Sequence, residues 1–176
     1  MSDWWLTTPR LGFGRWRGTD LNLALALWGD PEVARLIGGP WSEAEVAARL
    51  NAEIAMATSH GVQYWPVFLR ATGDLVGAAG LRPREPGGYE LGFHLRPAHW
   101  GRGYGREAAE ATIGHAFETL GARFLFAGHH PDNAPSKRLL ERLGFRPTHD
   151  ELYPPTGLRH PCYRLDAPDA TERPPP

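Results

Sequence analysis

The chain has a single cysteine, Cys162, in 176 residues, so it can close no internal disulfide and build no cysteine-rich metal site. It also has a single lysine, Lys137, and its 19 basic residues are set against 20 acidic ones, for a formal net charge of −1. No basic block or stripe stands out, which removes the electrostatic footprint that nucleic-acid binding requires. No run approaches the roughly 18 consecutive apolar residues of a membrane span. The start, MSDWWLTTPR, lacks the basic-then-apolar order of a secretory signal. The expectation is a soluble, cytoplasmic protein with neither a nucleic acid nor a membrane as partner. Cys162, between Pro161 and Tyr163 in a C-terminal strand, reads as a buried structural cysteine.

Core-forming residues are plentiful. The hydrophobic fraction is 41%, with 7 Trp, 7 Phe and 5 Tyr, and the length suits one domain. Residues 1–8 read as a loose leader and 167–176, APDATERPPP, as a flexible tail. Between them, residues 9–16 form a strand. Thr19-Asp20 caps a short helix, and Asp30-Pro31 opens another with proline at its first position. Ser42-x-x-Glu45 is a capping box for a helix to about Thr58. Strands follow over Val62–Leu69 and Leu75–Leu81, joined by a Gly73-Asp74 hairpin turn, and Tyr89, Leu91, Phe93 and Leu95 alternate along a third. A helix over 103–120, a buried strand over 122–128 and a helix from Asn133 to Leu143, stopped by Gly144, lead into two closing strands. This order describes a mixed-sheet α/β (α+β) domain.

The most informative stretch is Trp100-Gly101-Arg102-Gly103-Tyr104-Gly105-Arg106-Glu107-Ala108, lying between a strand and a long helix. Glycines at alternate positions let a backbone approach a ligand closely and adopt positive φ. The helix that follows points its unpaired N–H groups and the positive end of its dipole at the same place. Together they suit a diphosphate, with Arg102 and Arg106 adding charge. A nucleotide-binding P-loop would need Gly-Lys-Ser/Thr, which is missing. A dinucleotide fingerprint is formally matched by Gly103, Gly105 and Ala108. It fails on context, because Arg96–Trp100 separate it from the strand end and the next strand finishes Gly128-His129-His130 without an acid.

The stretch resembles the acetyl-CoA motif of GNAT acetyltransferases, R/Q-x-x-G-x-G/A, with Trp100 where Arg or Gln usually stands. Its WG-x-GY form is similar to the ribosomal-protein N-terminal acetyltransferase-like subgroup. Glu90–Leu95 resembles the strand before the motif, and Asn133-x-x-Ser136 with Leu143-Gly144-Phe145 the block after it. The resemblance spans residues 9–166, taken as the N-acetyltransferase domain. It implies a GNAT fold, with a mixed, mostly antiparallel sheet of six to seven strands and about four helices. It also implies acetyl-CoA as cosubstrate, no metal, an amine acceptor and, by analogy, a homodimer.

The resemblance further implies roles for individual residues. Backbone groups of Phe93, His94 and Leu95 would meet pantetheine and the acetyl oxygen, with a Leu95 donor as oxyanion stabiliser. Arg102, Gly103, Tyr104, Gly105 and Arg106 would hold the diphosphate, while Asn133 and Ser136 would orient pantetheine and its sulfur. For the general base Glu90 leads, because alternation turns it away from Tyr89, Leu91 and Phe93. His94 on the same face and His129 remain alternatives. Many family members use a tyrosine acid where this chain has Leu140, so Ser136 takes that place here. Trp28, Trp41, Tyr64, Trp65 and Tyr153 are the aromatic candidates for the acceptor. A peptide or protein N-terminus is the leading acceptor, followed by a small-molecule amine. A CoA-binding module without turnover is the competing class.

Overall fold

The computed structural model describes residues 3–84 and 86–168, so most of the expected tail, 169–176, lies outside the described residues. The opening strands are β1 (Leu6–Thr7) and β2 (Leu11–Phe13). Three helices follow: α1 (Leu21–Trp28), α2 (Pro31–Ala34) and α3 (Glu43–His60). Each later helix begins on the local chemistry that its sequence offers. The Asp30 carboxylate accepts from Glu32 N at 2.8 Å, and Glu45 and Ser42 cap one another reciprocally at 2.7 and 3.3 Å. α3 stops where Gly61 turns left-handed, at φ 72°.

Strands β3 (Tyr64–Leu69), β4 (Leu75–Pro83) and β5 (Gly88–Leu95) form an antiparallel meander. Then come α4 (Tyr104–Gly114), whose helix widens over His115–Thr119, and β6 (Phe124–Gly128). Helix α5 (Ala134–Arg142) and strands β7 (Arg146–Tyr153) and β8 (Leu158–Asp166) complete the chain. The sheet order is β1-β2-β3-β4-β5-β6-β8-β7, antiparallel except for the β5–β6 pair.

Eight strands exceed the expected six to seven because part of the expected leader is in the sheet. Leu6 pairs with Phe13, Trp5 Nε1 donates to Gly14 O at 3.2 Å, and the Trp5 ring lies 4.6 Å from Trp65. An indole and a leucine at the chain start bury more favourably than they solvate.

Alternation along the strands divides the interior into two cores. Leu11, Phe13, Trp65, Leu81, Leu91 and Leu125 pack with α4 and α5 on one face. Trp16, Leu27, Trp28, Val46, Leu50 and Tyr64 pack under α1–α3 on the other. Neighbours Tyr64 and Trp65 therefore point to opposite sides. That places Trp65, a candidate for acceptor contact, in the core away from the cavity described below.

A buried carboxylate pins α3 to the sheet. Glu53 is 1% exposed, accepts from Tyr64 N at 2.8 Å and pairs with Arg82 at 2.6 Å. Removing one member of a buried charge group leaves its partners uncompensated, which typically costs 3–5 kcal/mol. Glu53→Gln should therefore lower stability by about 3 kcal/mol, or about 9 °C in Tm for a chain of this size. A thermal melt unchanged within 2 °C or so would show that Glu53 contributes packing alone.

Candidate active site

The parallel strands β5 and β6 pair for only a short stretch. Their register runs Gly88↔Phe124, Tyr89↔Leu125, Glu90↔Phe126 and goes no further. β5 meanwhile stays on β4 as far as Leu95↔Gly77, while β6 stays on β8 as far as Gly128↔Cys162. Each strand follows its antiparallel partner, and the sheet opens beyond Glu90. Arg96 N donates across to Val76 O at 2.9 Å. Alternation then turns the N–H and C=O groups of Phe93 and Leu95 away from β4 and into the opening. The indole N–H of Trp100 bonds Leu95 O at 2.8 Å, so Trp100 fastens the loop to the strand end.

That loop carries Gly101 at φ 71° and Gly103 at φ 79°, a region costing a side-chain-bearing residue roughly 1–2 kcal/mol. Gly103 is the N-cap of α4 and offers no side chain, so the first-turn N–H groups of α4 remain open to a ligand. A Cβ at Gly105 would just touch the Leu95 and Leu139 side chains, at 3.6 Å each, so the helix start faces β5 and α5. Arg102 is exposed, whereas Arg106 is paired with Glu110 at 2.7 Å. The brace of this loop is Arg10, which no local motif signalled. Its Nε bonds Glu107 at 2.6 Å, its Nη1 bonds Arg102 O at 3.0 Å, and its guanidinium covers the Tyr104 ring at 4.6 Å.

Beside the opening is a cavity of about 290 Å³, lined among others by Glu90, His94, Tyr64, Ser136, His129 and Tyr153. Glu90 Oε2 meets Arg84 at 3.3 Å, and Oε1 has no hydrogen-bond partner among the described residues. Gly92 gives this face its shape, because a Cβ there would collide with the Tyr64 ring. Burial first, and the nearby Glu90 charge second, push the Tyr64 phenol far above its ordinary range. Tyr64 is therefore a neutral wall.

His94 Nδ1 faces the indole N–H of Trp28 at 3.2 Å. Since an indole can only donate, Nδ1 is the acceptor, and neutral His94 carries its proton on Nε2. Burial, then the charges of Arg49 and Arg82, hold the ring well below the usual histidine range. His129 is 6% exposed, and both its ring nitrogens have partners. Nδ1 donates to His130 O at 2.8 Å, leaving Nε2 to accept from the Tyr163 hydroxyl at 3.3 Å. On α5, Asn133 Oδ1 caps Ser136 N at 3.1 Å. Ser136 and the buried Leu140 are one turn apart on the same helix face, so the hydroxyl lies one turn before the position of the missing tyrosine. Lys137 is 3.9 Å from Glu141.

Among the described residues, His149, Glu151 and Cys162 each bring one ligand atom within 4.8 Å of the others. Glu151 is already held by Arg84 at 2.5 Å, and the Cys162 thiol donates to His160 O at 3.3 Å. Burial, reinforced by Glu151, pushes that thiol up to about 11. Among the described residues no helix is long and apolar enough to cross a membrane.

The site thus joins an open parallel strand pair, an uncapped helix start, and a cleft lined by a carboxylate and a hydroxyl. The Acetyltransferase (GNAT) domain profile matches residues 10–146, and the chain belongs to the GNAT family of N-acetyltransferases. It is 28% identical over 145 residues to the uncharacterized N-acetyltransferase p20 of Bacillus licheniformis, covering 80% of this chain and 82% of that one. An acetyltransferase structure from Agrobacterium tumefaciens superposes with TM-score 0.77 at 28% identity, over 91% of this chain and 92% of that one. The ribosomal L7/L12 α-N-protein acetyltransferase RimL, in complex with coenzyme A, shares the fold at TM-score 0.77 and 14% identity, covering 92% and 97% of the two chains.

Glu107 generates a pH prediction. Its partial burial alone would raise its pKa, but hydrogen bonds from Thr8 and Arg10 and the charge of Arg10 win and lower it from 4.5. A carboxyl lowered in the folded state adds stability that is complete above its unfolded value and is lost as pH falls through the folded one. The Tm difference between wild type and Glu107→Gln should thus be largest above pH 4.5 and shrink toward zero below it. A difference independent of pH would remove the carboxylate from this brace.

Proposed function

We propose that this protein transfers the acetyl group of acetyl-CoA to a primary amine in the cytoplasm, where its one cysteine stays a thiol. The observation that carries the reading is the parting of β5 from β6 after Glu90, which turns the Phe93 and Leu95 amides into the opening beside the uncapped N-terminus of α4. The glycine loop of Gly101, Gly103 and Gly105 fits a diphosphate, since only main chain approaches it and the helix dipole favours an anion. Arg102 adds charge at its rim.

In the proposed chemistry Glu90 is the base. It lines the cleft, and its free Oε1 can take a proton from the amine, directly or through one water. His94 is poorly suited to that task. Its one lone pair faces Trp28, so it presents Nε2–H and serves as a neutral donor. His129 would have to give up Tyr163 to act. The amine lone pair attacks the acetyl carbon, the Leu95 N–H steadies the oxygen as it gains charge, and the carbon–sulfur electrons leave with sulfur. Ser136 donates to that sulfur, taking the place of a tyrosine at Leu140. A peptide N-terminus and a small amine both carry the required group.

Removing a positioned base typically costs 10²–10⁴ in rate. Glu90→Gln should therefore lower kcat about a hundredfold. Ser136→Ala should lower kcat about tenfold, the loss of one hydrogen bond to a developing charge. In both variants acetyl-CoA should still raise Tm as in the wild type. Wild-type turnover would sink these roles, and a wild-type Tm unmoved by acetyl-CoA would sink the reading itself.

A further inference from the structure

The cavity is bordered by two groups of charges that meet where Arg82 faces Glu90 across β4 and β5. On the α3 side Arg49 and Arg82 share one carboxylate, Glu53, at 3.8 and 2.6 Å, leaving one positive charge uncompensated. On the β7 side Arg84 stands between Glu90 and Glu151, at 3.3 and 2.5 Å, so one arginine serves two carboxylates, with His149 Nε2 3.5 Å from Glu151. Both arginines of the first group and all three residues of the second line the cavity, while Glu53 is hidden behind it.

Arg49 is the member whose position calls for a ligand. Its side chain is 13% exposed, with the guanidinium over Trp28 at 4.6 Å and Trp41 at 5.0 Å. It makes no hydrogen bond among the described residues, and its Nε is buried without a partner. A guanidinium has five N–H donors, and buried donors are almost always bonded. The rings hold its plane but offer no acceptor atom. Glu53 is already engaged, Oε1 with Arg82 and Oε2 with Tyr64 N. The planar fork of Arg49 is thus preorganised for an acceptor of matching shape, which is a carboxylate.

We propose that the acceptor is a small amino acid, bound as a zwitterion with its carboxylate on Arg49 and its ammonium beside Glu90 and Glu151. This assignment rests on the acetyl-transfer reading above and names its substrate class. Charge decides the orientation, because the reverse placement would set like charges together at both ends. Two protons leave the nitrogen. The first passes to Glu90 and on to water, freeing the lone pair that attacks the acetyl carbon. The second ends on the coenzyme sulfur as the carbon–sulfur bond breaks, giving the N-acetyl amino acid and the free thiol. An amide in place of the carboxylate offers Arg49 one neutral acceptor oxygen instead of a charged, two-oxygen one, and a polyamine meets its charge directly.

Calorimetry on CoA-saturated protein tests the site without turnover, using N-acetyl forms of the twenty amino acids and their matched amides. At least one acid should bind about tenfold or more tightly than its amide, as expected for a charge-assisted bond. Arg49→Gln should erase that ratio without altering amide or CoA binding, and Arg49→Lys should restore part of it. A merely structural arginine would weaken acid and amide alike. Should acids and amides bind equally, or neither bind, the proposal falls, and the wild-type comparison decides even if Arg49→Gln does not fold. An Arg49-dependent ratio seen only with amidated peptides carrying an N-terminal Asp would also overturn the free amino acid. Mass-detected acetylation of the unmodified amino acids runs alongside. Should N-acetyl acids bind while no unmodified amino acid is acetylated, the carboxylate site would stand, and both the acceptor assignment and the transfer reading would fall.

Discussion

Everything at this site depends on the sheet opening beyond Glu90. Two parallel strands that stayed paired would satisfy the amides of Phe93 and Leu95 and close the cleft. Instead β5 follows β4 and β6 follows β8, and the backbone groups between them have no strand to bond. Open main-chain donors are costly when dry and useful when a ligand supplies acceptors. A thioester oxygen and the amides of a pantetheine arm are acceptors and donors of that kind. The start of α4 adds a second set of N–H groups free of a side-chain cap at the same edge, so main chain offers donors at two places along the opening.

The side chains around the opening divide the remaining labour by charge state. Burial and neighbouring guanidinium groups keep His94 neutral, and burial keeps Tyr64 neutral. The carboxylates and arginines supply the field. Glu53 neutralises part of the arginine pair from behind the wall, and Arg84 keeps Glu90 and Glu151 together. The aromatic residues serve chiefly as supports, with Trp28 orienting His94 on one side and carrying Arg49 on the other.

Several features were legible in the chain because their causes are local. The capping box at Ser42 and Glu45, the proline-started α2, the glycine loop and the strand alternation through Glu90 depend on neighbours within a few residues. The pairing of Leu6 with Phe13 was not legible, since a two-residue strand has too little pattern to register against a leader. Arg10 was missed for a different reason. Its partners Glu107 and Arg102 are 97 and 92 residues away, and nothing in the surroundings of Arg10 marks it as a brace. Trp65 illustrates the limit of composition, because it resembles Tyr64 in type but faces the other core.

By itself, the sequence determined a mixed α/β domain with a glycine loop at a helix start, and the residue types that a transfer site would draw on. Those follow from periodicity, capping and backbone permissiveness, which act within a turn or a hairpin. Only the tertiary structure decided where the sheet parts, which nitrogen of His94 holds the proton, and that Arg49 stands without a hydrogen bond among the described residues. Each of those depends on contacts between distant segments, where packing and burial, rather than local propensity, set the outcome.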